Sequence, residues 1–136
     1  MIRTFLSSVA CACVLLGFAG QAQAAPPKYW IETALKIGKC EQPKPGGWGK
    51  WGSINWKNKT NYSFQGGLGM TNLLWDTFKK KGYPKDAHQA TPMQQITAAW
   101  RFYIWAERTY PGYGYTGWEC SEMIGFYGFN ADGTWK

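Results

Sequence analysis

The sequence is poor in acids, in histidine and in cysteine. Eight Asp and Glu stand against 15 Lys and Arg in 136 residues, with one histidine and four cysteines. No Asp or Glu falls between Glu41 and Asp76. There is no internal repeat, and no linker long enough to separate two domains. Two cysteines in the N-terminal segment, two beyond it and a lone His88 are too few ligands for a metal site, so neither a metal nor another cofactor is expected. What the chain has in plenty is glycine and aromatic residues, with 17 Gly and 9 Trp.

The first 24 residues read as a cleavable export signal. Arg3 gives the positive start, "FLSSVACACVLLGFAG" is the apolar run, and Ala22 and Ala24 are the small residues of a cleavage site before Ala25. The run is interrupted by Ser7 and Ser8 and is short for a membrane span, so no stable insertion is expected after cleavage. Cys11 and Cys13 lie inside the run and leave with it. Residues 25–136 then form one small domain, expected to be monomeric, with enough chain for a single core. The expected location is secreted, in the periplasm or at the cell wall. There Cys40 and Cys120 are an even pair in an oxidising compartment, and a disulfide is the natural reading. Such a bridge closes a loop of about 80 residues and stabilises by roughly 4 kcal/mol on the loop-entropy account. The net charge of +7 favours anionic polymers and surfaces, and export argues against nucleic acid as the partner.

Three stretches carry helical signals. "YWIETALKIGKCE" (29–41) places apolar residues at 30, 34 and 37, and again at 31 and 35, and "QPKPGGWG" ends it. "TNLLWDTFKKKG" (71–82) has Thr71 as cap, Leu74, Trp75 and Phe78 as apolar stripe, three lysines for its last turn and Gly82 as stop. "TPMQQITAAWRFYIWAERTYPG" (91–112) has Thr91 as cap, Pro92 at the first helical position and Gln94 completing a capping box, with Met93, Ile96, Trp100 and Tyr103 on one face. Between the first two, residues 43–69 hold seven glycines and three tryptophans and read as an irregular hairpin with short strands at best. One further turn of helix is expected near Glu119 to Ile124. The fold class is mainly α, of the α+β kind.

Glu41 is the residue with the clearest chemical reading. It follows Cys40 directly and ends a helix beside a tryptophan-rich loop. Cleavage of a glycosidic bond needs a protonated carboxyl near the leaving oxygen, and aromatic surroundings raise a carboxyl's pKa into that range. Lys39 and Lys44 oppose this if they point at it, and an exposed helix-end glutamate is the plainer alternative. Most glycosidases use two carboxylates. The acid-free stretch after Glu41 fits instead a reaction in which the substrate's own C6 hydroxyl attacks and a single group serves first as acid and then as base. Trp48, Trp51, Trp56 and Trp118 lie in Gly-rich segments where sugar faces could stack on them; Trp75 joins them as a candidate, and burial in a small core is the competing role for each. Gln94 and Gln95 either cap the helix or aim an amide at a sugar hydroxyl or acetamido group.

In order along the chain, "KCE" (39–41), "WGSIN" (51–55), "FQGGLGM" (64–70) with Trp75, "ATPMQQITAA" (90–99) and "GWEC" (117–120) together resemble the resuscitation-promoting-factor-like transglycosylase domain, a compact lysozyme-like fold. The resemblance spans about residues 29–121, and its specificity lies in the ordered set. It implies a small lysozyme-like domain with Glu41 as catalytic acid, Cys40 paired with Cys120, and Gln95 or Gln94 holding substrate. It also implies peptidoglycan glycan strands as partner, with cleavage between MurNAc and GlcNAc by a lytic transglycosylase or muramidase. The chain departs from the family pattern in three places: the Cys-Glu segment is stretched to "CEQPKPGGWGKW", Gly69 stands at the family's glutamine, and Leu74 at its threonine. Two alternatives follow. One is a non-catalytic wall-binding module on the same scaffold, and the other is a basic, tryptophan-rich membrane-active protein.

Overall fold

A computed structural model describes residues 25–42, 54–59 and 64–120. The proposed export signal, the turn after Cys120, and Trp48, Trp51 and Lys44 lie outside the described residues. Within them, helix α1 (Lys28–Glu41) is followed by strands β1 (Phe64–Gln65) and β2 (Met70–Thr71), helix α2 (Asn72–Phe78), a 3₁₀ turn (Ala87–Gln89) and helix α3 (Pro92–Thr109). The result is mainly helical, with a two-stranded antiparallel sheet in which Phe64 faces Thr71 and Gln65 faces Met70. No helix among the described residues is long and apolar enough to cross a membrane.

The helix starts follow local chemistry. The Thr91 hydroxyl accepts the Gln94 N–H at 3.3 Å, and Gln94 Oε1 accepts the Thr91 N–H at 2.9 Å, a complete capping box with Pro92 in the first turn. Thr71 caps α2 in the same way, accepting the Leu74 N–H at 3.1 Å. The stop of α2 differs from the expectation. The helix ends at Phe78, before the lysines and well short of Gly82. Lys79 instead turns its ammonium onto Asp76, at 2.7 Å, and the Lys85 carbonyl, at 3.0 Å. These contacts hold an extended Lys79 where propensity alone favours another turn.

Trp30 is the centre of the core. Spacing along α1 buries Trp30, Ala34, Ile37 and Cys40, while Leu35, which the pattern also made apolar, is exposed. The Trp30 ring lies 4.8 Å from Tyr103, 5.4 Å from Trp100 and 6.0 Å from both Tyr115 and Trp118, measured between centroids. Its indole N–H donates to the Ile96 carbonyl at 3.3 Å, so the largest apolar group of the core keeps its one donor satisfied. Residues 95–100 of α3 are all buried, because α1 covers one side and the β1–β2 turn the other. Met93 is about half exposed, since the first turn projects beyond that cover.

After α3 the chain folds back over the core. The Glu107 carboxylate accepts the N–H groups of Gly112 and Gly114 at 2.9 and 3.0 Å, which brings Tyr115 and Trp118 into the core. Gln65 Nε2 donates to Asn72 Oδ1 at 2.6 Å, and its Oε1 lies 2.7 Å from His88 Nδ1. This contact ties the 3₁₀ turn to β1.

Candidate active site

Glu41 is the last residue of α1. Its neighbour Cys40 is bonded to Cys120, with Cα atoms 5.8 Å apart across a sequence separation of 80. The bridge brings the Cys120 backbone N–H to Glu41 Oε1, at 2.9 Å. The disulfide therefore does two things: it pins the helix end, and it supplies the carboxyl with a fixed donor.

The carboxyl is half-buried, and its pKa lies above the ordinary glutamate value. Burial is the largest cause, because it penalises the charged form. The Cys120 hydrogen bond pulls the other way, and the negative charge of Glu119 adds to the rise. The C-terminal end of α1 carries a partial negative charge, which acts in the same direction as burial. Lys39 is exposed. A protonated Glu41 accepts the Cys120 N–H on its carbonyl oxygen, Oε1, and carries its proton on Oε2.

The turn between β1 and β2 faces Oε2. Gly69 has φ +59°, a left-handed backbone that suits glycine, and a Cβ built on it lies 4.0 Å from Glu41 Cβ and Oε2. On the Gly69 side the proton-bearing oxygen is thus bordered by backbone instead of a side chain. Three side chains from distant parts of the chain hold this turn. Gln95 Oε1 accepts the Gly67 N–H at 2.8 Å, Gln42 Nε2 donates to the Gly67 carbonyl at 2.9 Å, and Trp118 Nε1 donates to the Leu68 carbonyl at 3.0 Å. Gly67 has no room for a side chain, because a Cβ there meets the Trp56 ring at 2.5 Å and Ile54 at 2.6 Å.

The structure places three of the residues expected to touch substrate inside the protein. Gln95 is 0% exposed, and its amide also donates to the carbonyls of Trp56, at 2.9 Å, and Ala90, at 3.1 Å. It braces the turn. Trp75 is buried at 1% exposure and donates to the carbonyls of Pro84 and Lys85. Trp118 is buried at 3% and holds Leu68. Both are core residues, for the reason that made this the competing reading: an indole buries a large apolar area while its N–H finds a carbonyl. Gln94 takes its capping role. Trp56 is half-buried and lines an open hollow of about 470 Å³ with Ile54, Asn55, Lys57, Ala90 and Pro92.

Two contributors were missed. Gln42 was read only as part of the helix stop, yet it is buried and clamps Gly67. Glu107, to which the sequence reading gave no role, shapes the segment that leads to Cys120. The available signal was the Gly-Gly-Leu-Gly turn itself, since closely packed backbone needs polar side chains to meet its N–H and C=O groups. No group of three or more His, Cys, Asp or Glu that could hold a metal ion occurs among the described residues. No protein-family model matches this chain, and neither does any curated protein.

Proposed function

We propose that the chain cleaves the MurNAc–GlcNAc bond of peptidoglycan as a lytic transglycosylase on a lysozyme-like scaffold, with Glu41 as general acid and then general base. One observation carries the reading. A half-buried carboxyl of raised pKa has one oxygen fixed by the Cys120 N–H and the other turned to the side-chain-free border at Gly69.

In the first step Glu41 Oε2 gives its proton to the glycosidic oxygen as the C1–O bond breaks, and positive charge develops at C1. The carboxylate left behind is negative and stabilises that charge. In the second step the same carboxylate takes the proton of the substrate's C6 hydroxyl, whose oxygen closes on C1 to give a 1,6-anhydro end. Glu41 is then protonated again, so one acid suffices. Water in place of the C6 hydroxyl gives a reducing end by the same route, which is the muramidase outcome. The net positive charge favours residence on an anionic wall.

Zymography on purified peptidoglycan with the wild type and Glu41→Gln, followed by mass spectrometry of the products, tests this. Clearing by the wild type alone, with anhydro ends, is the expected result. Equal clearing by both proteins ends the enzyme reading. Binding without clearing by either protein replaces it with the wall-binding module, a reading favoured by the lack of a polar side chain at Gly69.

A further inference from the structure

The hollow beside Trp56 is separate from the carboxyl but shares a wall with it. The Trp56 ring packs on Gly67, two residues before the Gly69 that borders Glu41. Its walls are mostly apolar, formed by Ile54, Trp56, Ala90 and Pro92. Four polar residues also line it, Asn55, Lys57, Gln89 and Thr91, and of these only Lys57 carries a charge. Asn55 already uses its side-chain oxygen to accept the Lys57 backbone N–H, at 3.1 Å, which leaves its amide hydrogens as donors. Lys57 is exposed, and no ion pair to it is found among the described residues. Among the described residues no carboxylate lines the hollow.

We propose that this hollow takes the peptide stem of a wall glycan strand, with the stem's carboxylate meeting Lys57 and the Asn55 amide, and its short aliphatic body lying against Trp56, Ile54 and Pro92. This rests on the proposed action on peptidoglycan and adds to it which part of the polymer is read. The complementarity is one of charge and surface. A cation and an amide donor above an apolar floor match a carboxylate on a small hydrophobic body, whereas a neutral pyranose leaves the ammonium without a counter-charge. A volume of about 470 Å³ lies within the range of small-ligand sites and leaves room for a short peptide.

The test is binding, measured in the Glu41→Gln background so that nothing is cleaved. The two probes are soluble glycan strands bearing their stems, and the same strands stripped of stems by an amidase. The stem-bearing strands are expected to bind about two- to fivefold more tightly at low salt, the scale of one exposed charge pair. Rising salt narrows the gap. Lys57→Gln removes the preference without weakening binding of stripped strands, and Lys57→Arg keeps it. Because Lys57 is exposed, these variants are expected to fold, which circular dichroism checks. Equal binding of both probes, or a preference that survives Lys57→Glu, overturns the inference while leaving the glycan reading intact. Failure of both probes to bind overturns both.

Discussion

Gln95 and Glu41 each carry a polar side chain into the protein from the end of a helix. Gln95, in the first turn of α3, is fully buried and makes three hydrogen bonds, to Gly67, Trp56 and Ala90. Glu41, at the last residue of α1, is half-buried, and among the described residues a hydrogen bond reaches only its Oε1. A buried amide with all its neighbours satisfied is a brace. A carboxyl with one oxygen fixed and the other bordered by the Gly69 backbone is the kind of group the proposed reaction needs. The contrast lies in what each group has left over, because both residue types are equally polar on paper and both sit in helix ends.

The sharpest way to break this contrast is to remove each group's defining property. Glu41→Gln keeps an oxygen for the Cys120 N–H but has no proton to donate. Its kcat on peptidoglycan is expected to fall by about 10²–10⁴-fold, measured by release of soluble muropeptides. An unchanged rate would make Glu41 another brace.

Opening the disulfide comes next, since it holds both the helix end and the donor to Glu41. Cys40→Ser with Cys120→Ser is expected to lower stability by about 4 kcal/mol, read by urea denaturation, for a bridge that closes 80 residues. Gln95→Leu tests the brace directly. It leaves the Gly67 N–H and two carbonyls without their partner, and a loss of about 3 kcal/mol is expected in the same assay. A near-neutral result would mean that the turn stands without it.

The smallest effect sharpens the Glu41 side. Its folded pKa is raised, so the folded state holds the proton more tightly than the unfolded chain does. Stability is therefore highest below the ordinary glutamate value and declines as pH rises through the folded value. Glu41→Gln is free of that decline. Its melting temperature is expected to exceed that of the wild type at neutral pH, with the gap shrinking towards acid pH. In the proposed reaction the acid must be protonated to act, so the same shift places the basic limb of the pH–activity profile above the ordinary carboxylate range. A wild type and variant whose melting temperatures run parallel across that range would show that the carboxyl is not perturbed.

Much of the secondary structure was legible because its causes are local. Thr91, Pro92 and Gln94 act on one another within a single turn, and so does Thr71 on Leu74. The spacing of Trp30, Ala34 and Ile37 marked the buried face of α1 for the same reason. The stop of α2 was not legible, since it depends on Lys79 reaching the Lys85 carbonyl across an intervening turn. At the site, the chemistry of Glu41 could be suspected from its place after Cys40. The roles of the tryptophans could not be, because an indole suits a sugar face and a core equally well.

By itself the sequence determined where the helices begin, which face of α1 turns inward, and that a lone acid stands beside a cysteine ahead of an acid-free stretch. Only the tertiary structure decided that Gln95, Trp75 and Trp118 are internal supports and that Oε2 of Glu41 faces Gly69. The physical reason is distance along the chain. Capping bonds join residues three apart, whereas the bonds that settle the site join residues 28, 39, 50 and 79 apart, and nothing in local composition announces such pairings.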